Sequence, residues 1–159
     1  MDADGVTQKY LDTLLLYFEE EIMGEAYFYG LADRFSDEHQ SLKMTHLAEV
    51  ERYAAEAVRP LLKKYNLQPR SDIELHEIGE SKIEKSYLMG WERFVDFMVV
   101  RYPKYMPEFH ALEAMAPAED RPILKILTAH EVAAIEFSNL EKDGNPRSIE
   151  PLMKYLGKQ

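Results

Sequence analysis

The chain reads as all-α, and three observations carry that expectation. Apolar residues recur at three- and four-residue steps through most of the sequence, the spacing of one helix face. Turn and cap residues break these stretches into helix-length pieces. No segment of useful length alternates with the two-residue period of a strand.

The first helix is expected from Tyr10 to about Phe35, with Leu11, Leu14, Phe18, Phe28 and Ala32 on one face. Ser36 and Asp37 offer a short turn and a cap. A second helix follows from about Glu38 to Tyr65, its stripe formed by Met44, Leu47, Ala54, Val58 and Leu61, with Pro60 expected to bend it near its end. From Asn66 to about Ser81 the chain holds Pro, Gly and no sustained period, and reads as a long connection. The third helix, about Lys82 to Tyr102, carries "FVDFMVV", apolar on nearly every side, which points to burial on two faces and to a dimer contact. "PEFHALEAM" forms a shorter helix between Pro107 and Pro117. The fourth long helix has Glu119 and Asp120 ahead of Pro122 in its first turn and stops near Gly144. "SIEPLMKYL" is a short terminal segment expected to pack across the end of the bundle. Four long helices with a short first link and a long second one predict a four-helix bundle, two antiparallel hairpins joined by a crossover, in a single domain over residues 1–159.

Bulk properties narrow the function. The 159 residues are 46% hydrophobic and 30% charged, ordinary for one globular domain with a real core. No apolar run is long enough to span a bilayer and no secretory signal is visible, so the cytoplasm is the default location. The absence of cysteine removes disulfides, thiolate zinc sites, iron–sulfur ligation and cysteine nucleophiles. A formal charge of −10 argues against nucleic acid and anionic membranes as partners. Neither a nucleophile elbow nor a phosphate-binding glycine loop occurs.

Polar residues on core faces are the informative feature. Glu21 and Glu25 interrupt the stripe of the first helix, and Glu51 that of the second. In the fourth, Ile123, Ile126, His130, Ala133, Phe137 and Leu140 share a face, with His130 at its centre and Glu131 on its shoulder. Asp96 and Glu92 lie in the third helix, where an almost wholly apolar run defines no inside. A buried carboxylate takes up a proton, finds a cation or binds a metal. Arg34, Arg52, Arg93 and Tyr53 offer the bland pairing; carboxylates and an imidazole gathered from facing helices offer a site for iron, manganese or zinc. His110 and Glu113 share a face three residues apart, as ligands, an acid–base pair or a local surface contact. Tyr17, Tyr27, Tyr29 and Tyr53 fall near the inward acids as packing aromatics or as hydroxyl partners for them.

"GEAYFYGLADRF" followed by "LKMTHLAEVERYAAEAV", with "ILTAHEVAAIEF" in the second half, resembles the ferritin-like superfamily, its rubrerythrin and erythrin branch more than true ferritins. The resemblance runs from about Tyr10 to Leu140 and implies a four-helix bundle with a long crossover. It also implies a diiron centre built from a Glu on each of two helices and Glu-x-x-His on each of the other two. Glu51 falls on the Glu of the first such motif, with Ala54 at its histidine position. Glu131 matches the second, with Ala134 at its histidine position. Glu21 or Glu25 supplies the first-helix Glu, and no third-helix Glu aligns. What the resemblance then implies is an atypical mononuclear or dinuclear centre held by Glu25, Glu51 and His130 with Glu21 or Glu131. Iron or manganese would occupy it, with zinc as the alternative, acting as a redox centre toward dioxygen or peroxide or as a Lewis acid on water. Two other readings stand beside it: a metal-free helical module that forms a homodimer or binds a partner, and a cofactor-free acid–base enzyme with a small apolar pocket.

Overall fold

The computed structural model describes residues 5–158, which form helices joined by short links with no strand among them. α1 (Gln8–Arg34) opens at Thr7, whose Oγ1 accepts the Tyr10 N–H at 3.1 Å. It ends at Phe35, and Asp37 caps α2 (Glu38–Lys64) by accepting the Gln40 N–H at 3.0 Å. So short a link folds the two long helices back on each other, and both expected stripes are buried along their length. α2 continues through Pro60 for a further turn.

The expected connection after Asn66 contains α3 (Asp72–Glu80), capped by Ser71 Oγ on the Glu74 N–H at 3.2 Å. It buries only Leu75 and Gly79, too little over nine residues to leave a readable period. Gly79 is there because α3 lies on α1: a Cβ at this position would stand 2.2 Å from the Met23 carbonyl oxygen.

The expected third helix is divided. Gly90, at φ +82°, separates α4 (Ile83–Met89) from α5 (Trp91–Arg101). A 3-10 turn, Tyr102–Tyr105, leads into α6 (Met106–Met115). Within the chain, burial of "FVDFMVV" is one-sided: Phe94, Val95 and Met98 go in, while Val100 is 59% exposed. Asp96 is exposed and pairs with Lys142 at 3.4 Å. α7 (Arg121–Lys142) has Pro122 in its first turn, and α8 (Glu150–Leu156) packs on α7 and α2.

Two apolar clusters fill the interior. One gathers Leu14, Phe18, Val58, Leu61, Phe109 and Leu124; the other Phe28, Leu31, Leu47, Phe94, Phe137 and Leu152. Polar hubs tie the helices together. Asp120, buried at the start of α7, accepts Tyr10 Oη at 2.8 Å, Tyr65 Oη at 2.5 Å and Lys64 Nζ at 2.6 Å. Glu141, near the other end of α7, meets Lys43 Nζ at 2.8 Å and accepts Ser148 Oγ at 2.8 Å and Trp91 Nε1 at 3.2 Å. No helix among the described residues is long and apolar enough to cross a membrane.

Candidate metal centre

Each long core helix passes from one apolar cluster to the other, and each passes at the same place. On α1 the first cluster ends at Ile22 and the second begins at Phe28; on α2 the boundary lies between Val50 and Ala54; on α7 it lies between Leu127 and Ala133. Glu21, Glu51, His130 and Glu131 sit at or within these boundaries. The polar interruptions of the sequence are therefore one layer of the folded protein.

Within that layer Glu21, Glu51 and His130 each offer one ligand atom, and the three atoms lie within 4.8 Å of one another. His130 Nε2 stands 2.8 Å from Glu21 Oε2, 3.4 Å from Glu51 Oε2 and 3.8 Å from Glu131 Oε2. The other ring nitrogen, Nδ1, donates to the Leu127 carbonyl one turn back, which leaves Nε2 to face the carboxylates. Phe109 from α6 meets the imidazole edge-on, centroids 5.6 Å apart at 89°, and fixes its plane. Gly24 lets Glu51 approach α1: a Cβ there would lie 3.0 Å from the Glu51 carboxyl carbon and 3.1 Å from Oε1.

Three carboxylates around one imidazole leave negative charge in excess. Burial works against a charged His130, but Glu21, with Glu131 and the Leu127 carbonyl, outweighs it and raises the imidazole to about 9. Burial pushes Glu131 up to about 7, with the His130 charge pulling back and Glu21 adding to the rise. Glu21 Oε2 has the His130 ion pair at 2.8 Å, whereas Glu131 Oε1 has no hydrogen-bond partner among the described residues. A buried carboxylate oxygen left this way is expensive. A cation at the centre of the group would satisfy it, and one imidazole with several carboxylates suits iron, manganese or zinc. The Nδ1-to-carbonyl bond is the support that a metal-ligating histidine usually has.

The cluster opens into a cavity of about 540 Å³ lined by Glu21, Glu51, His130 and Glu131 together with Tyr17, Tyr27, Tyr102 and Phe109. That size suits a small organic ligand.

The other expected site residues go elsewhere. Glu25 is buried as expected but does not join the cluster; its carboxylate lies 3.3 Å from Arg52 Nη1 and 3.7 Å from His76 Nε2, on the side of a groove against α3. One turn beyond Glu21 and rotated by about 40°, it faces past the centre. Glu113 accepts Thr128 Oγ1 at 2.6 Å and His110 is exposed, so the pair reads as structural. Tyr29 and Tyr53 are 42% and 46% exposed; Tyr27 bonds Ser86, and Tyr17 packs on Phe109 with centroids 4.8 Å apart. One cavity tyrosine that the sequence did not single out, besides Tyr105, is Tyr102. It lines the cavity, and burial, with Tyr27, Glu131 and Glu21 nearby, holds its hydroxyl well above the usual range. Its only mark in the sequence is its place before Pro103, a helix-end signal that says nothing of the cavity.

No protein-family model matches the chain, and no curated protein and no solved structure matches it significantly.

Proposed function

We propose that this protein is a ferritin-like helical bundle that holds a transition-metal ion at Glu21, Glu51 and His130, with Glu131 beside them, and works as a metal-dependent oxidoreductase toward dioxygen or peroxide. Iron or manganese is the expected ion and zinc the alternative. The observation that carries the reading is the convergence of three ligand atoms within 4.8 Å in the layer between the two apolar clusters, beside a buried Glu131 Oε1 that has no hydrogen-bond partner among the described residues. The topology is supported by a closed circuit of packing in which α1 lies on α2, α2 on α7, α7 on α5 and α4 on α1. In this reading α4 and α5 are the third helix of the bundle, interrupted at Gly90, and α3 rides in the crossover. Ala54 and Ala134, at the family's histidine positions, are buried, and His130 substitutes from the turn position beside Glu131.

When bound, the ion supplies either electron transfer or Lewis-acid polarisation of an oxygen ligand. The protein's own residues do the rest. His130 is held by Leu127 in the tautomer that presents Nε2. Glu131, which lines the cavity and whose Oε1 has no hydrogen-bond partner among the described residues, is placed to take or return a proton. Tyr102 offers a hydroxyl donor on the cavity wall, and the aromatic lining limits water around the centre. The homodimer expected from the third helix belongs to the same proposal, with Leu88 and Val100, 71% and 59% exposed, as the apolar side chains it would cover.

A second reading rests on Glu131 Oε1 and His130 sharing one cavity: a cofactor-free acid–base enzyme in which the two exchange a proton with a bound substrate. Elemental analysis separates the two. Tag-free protein is reloaded anaerobically with iron, manganese and zinc beside Glu51→Ala and His130→Ala. Near-stoichiometric metal in the parent, lost in both variants, is the expected result. Equal metal in parent and variants would overturn the site, and no metal in any sample would leave the acid–base reading.

A further inference from the structure

The cavity above the cluster has a second chemical character that the metal reading does not use. Its open side carries Lys82, just before α4, Lys85 on α4 and Arg101 at the end of α5, all exposed. Among the described residues no carboxylate lies within ion-pair distance of any of the three, whereas Arg34, Lys43, Arg70 and Lys142 each hold one. Arg101 is instead positioned by aromatic rings: its Nε donates to Tyr105 Oη at 2.9 Å, and its guanidinium carbon lies 5.8 Å from the Phe97 centroid. Glu20 also lines the cavity and feels the charges of Lys82 and Arg101, but forms no close ion pair with either; on a chain of formal charge −10, three cations without a close carboxylate around one cavity run against the composition. The depth of the cavity differs sharply, being aromatic on its walls and acidic at the buried end.

We infer that the cavity admits a small organic anion, its charged group held by Lys82, Lys85 and Arg101 and its apolar or aromatic body lying along Tyr102, Tyr105 and Phe109 toward the buried cluster. The placement follows from burial: the cations are exposed and the cluster is not, so a molecule that satisfies both ends lies with its charge outward. A neutral molecule leaves the rim cations with no charge closer than that of Glu20, and a cationic group seated at the rim is repelled by them. Lysine and arginine recognise carboxylate and phosphate alike, and Arg101, with its remaining guanidinium donors, favours a planar two-oxygen group. The inference rests on the proposed metal function for its purpose, since it names the class of molecule brought to that centre, but the rim residues are not ligands.

The test uses 3-phenylpropionate, phenyl phosphate, 3-phenylpropan-1-ol and 3-phenylpropylamine as probes in titration calorimetry, on metal-free and zinc-loaded protein. The variant is Lys82→Gln/Lys85→Gln/Arg101→Gln, all surface changes, and zinc affinity is measured on it separately. The expected result is that the anions bind at least tenfold tighter than the alcohol and the amine does not bind. The triple variant should lose that advantage while keeping the parent's zinc affinity and melting temperature. The stronger of the two anions identifies the head group. If the anions bind through the metal alone, their affinity will depend on zinc and not on the rim, and the inference is overturned. It is likewise overturned if alcohol and acid bind the parent equally. Failure of the metal reading shows differently, as loss of zinc binding in the parent itself.

Discussion

Replacing Gly24 by alanine should stabilise the fold and weaken the metal site at the same time. Gly24 lies in the interior of α1, where glycine is less favourable than alanine by about 1 kcal/mol. In the metal-free protein the three atoms nearest the new methyl all belong to the Glu51 side chain, its carboxyl carbon at 3.0 Å, Oε1 at 3.1 Å and Cγ at 3.3 Å. That side chain can yield by a few tenths of an ångström without moving the backbone, so most of the helix gain should survive. For a chain of this size 1 kcal/mol raises the melting temperature by roughly 2–4 °C. Coordination is less tolerant, because ligand distances hold to about 0.2 Å. Displacing Glu51 should therefore cost about tenfold in affinity, at the low end of what disturbing a ligand's support does. Thermal melts in chelator and in excess zinc, with zinc affinity by chelator competition, read both effects. The reasoning is refuted if the variant melts below the parent in chelator, or if it binds zinc as tightly as the parent.

Other consequences can be checked as directly. Asp120→Ala strands the hydroxyls of Tyr10 and Tyr65 and removes the partner of Lys64; chemical denaturation should show a loss of about 2–4 kcal/mol. Burial alone would raise the Asp120 carboxyl, but Lys64, Tyr65 and Tyr10 outweigh it and hold it below its ordinary 3.8. A depressed carboxylate stabilises the fold above its unfolded value, so this contribution should fade as pH falls below 3.8, and the acid transition of Asp120→Asn should be shallower than the parent's. His130, raised from 6.5 to about 9 in the metal-free protein, must give up its proton to ligate, so zinc affinity should rise with pH by up to about tenfold per unit toward pH 9. Calorimetry in buffers of different ionisation enthalpy should register the released proton; pH-independent affinity would contradict His130 as a ligand. Gly79→Ala drives a methyl against the Met23 carbonyl at 2.2 Å, and hydrogen exchange should show α3 loosened while α7 stays protected.

Helices with a wide apolar face were legible in the sequence; those held by a single contact were not. α1, α2 and α7 each repeat their apolar residues over more than twenty positions, and their starts and stops fall within a few residues of the expected ones. α3 announces itself only by Ser71 and one buried leucine, and its packing depends on a glycine, which has no hydropathy to read. The break at Gly90 was equally quiet, because an apolar run on both sides of a glycine looks continuous until the positive φ is known. For the site, the sequence could say that Glu21, Glu51, His130 and Glu131 interrupt apolar faces. It put Glu25 ahead of Glu21 as the first-helix ligand, whereas the structure groups Glu21 with Glu51 and His130; both are buried, and the choice turns on a rotation of about 40°. Cavity residues such as Lys85 and Tyr102 come from the expected third helix, where the break at Gly90 interrupts the helix phase and the apolar run defines no inside, so no single period ties them to the cavity face.

Crystals of the zinc-loaded protein measured across the zinc absorption edge test the central claim most directly. The account predicts one strong anomalous peak at coordination distance from Glu21, Glu51 and His130 Nε2, with Glu131 beside it. A peak instead at the Glu25–His76 groove, or zinc confined to surface carboxylates, would contradict it.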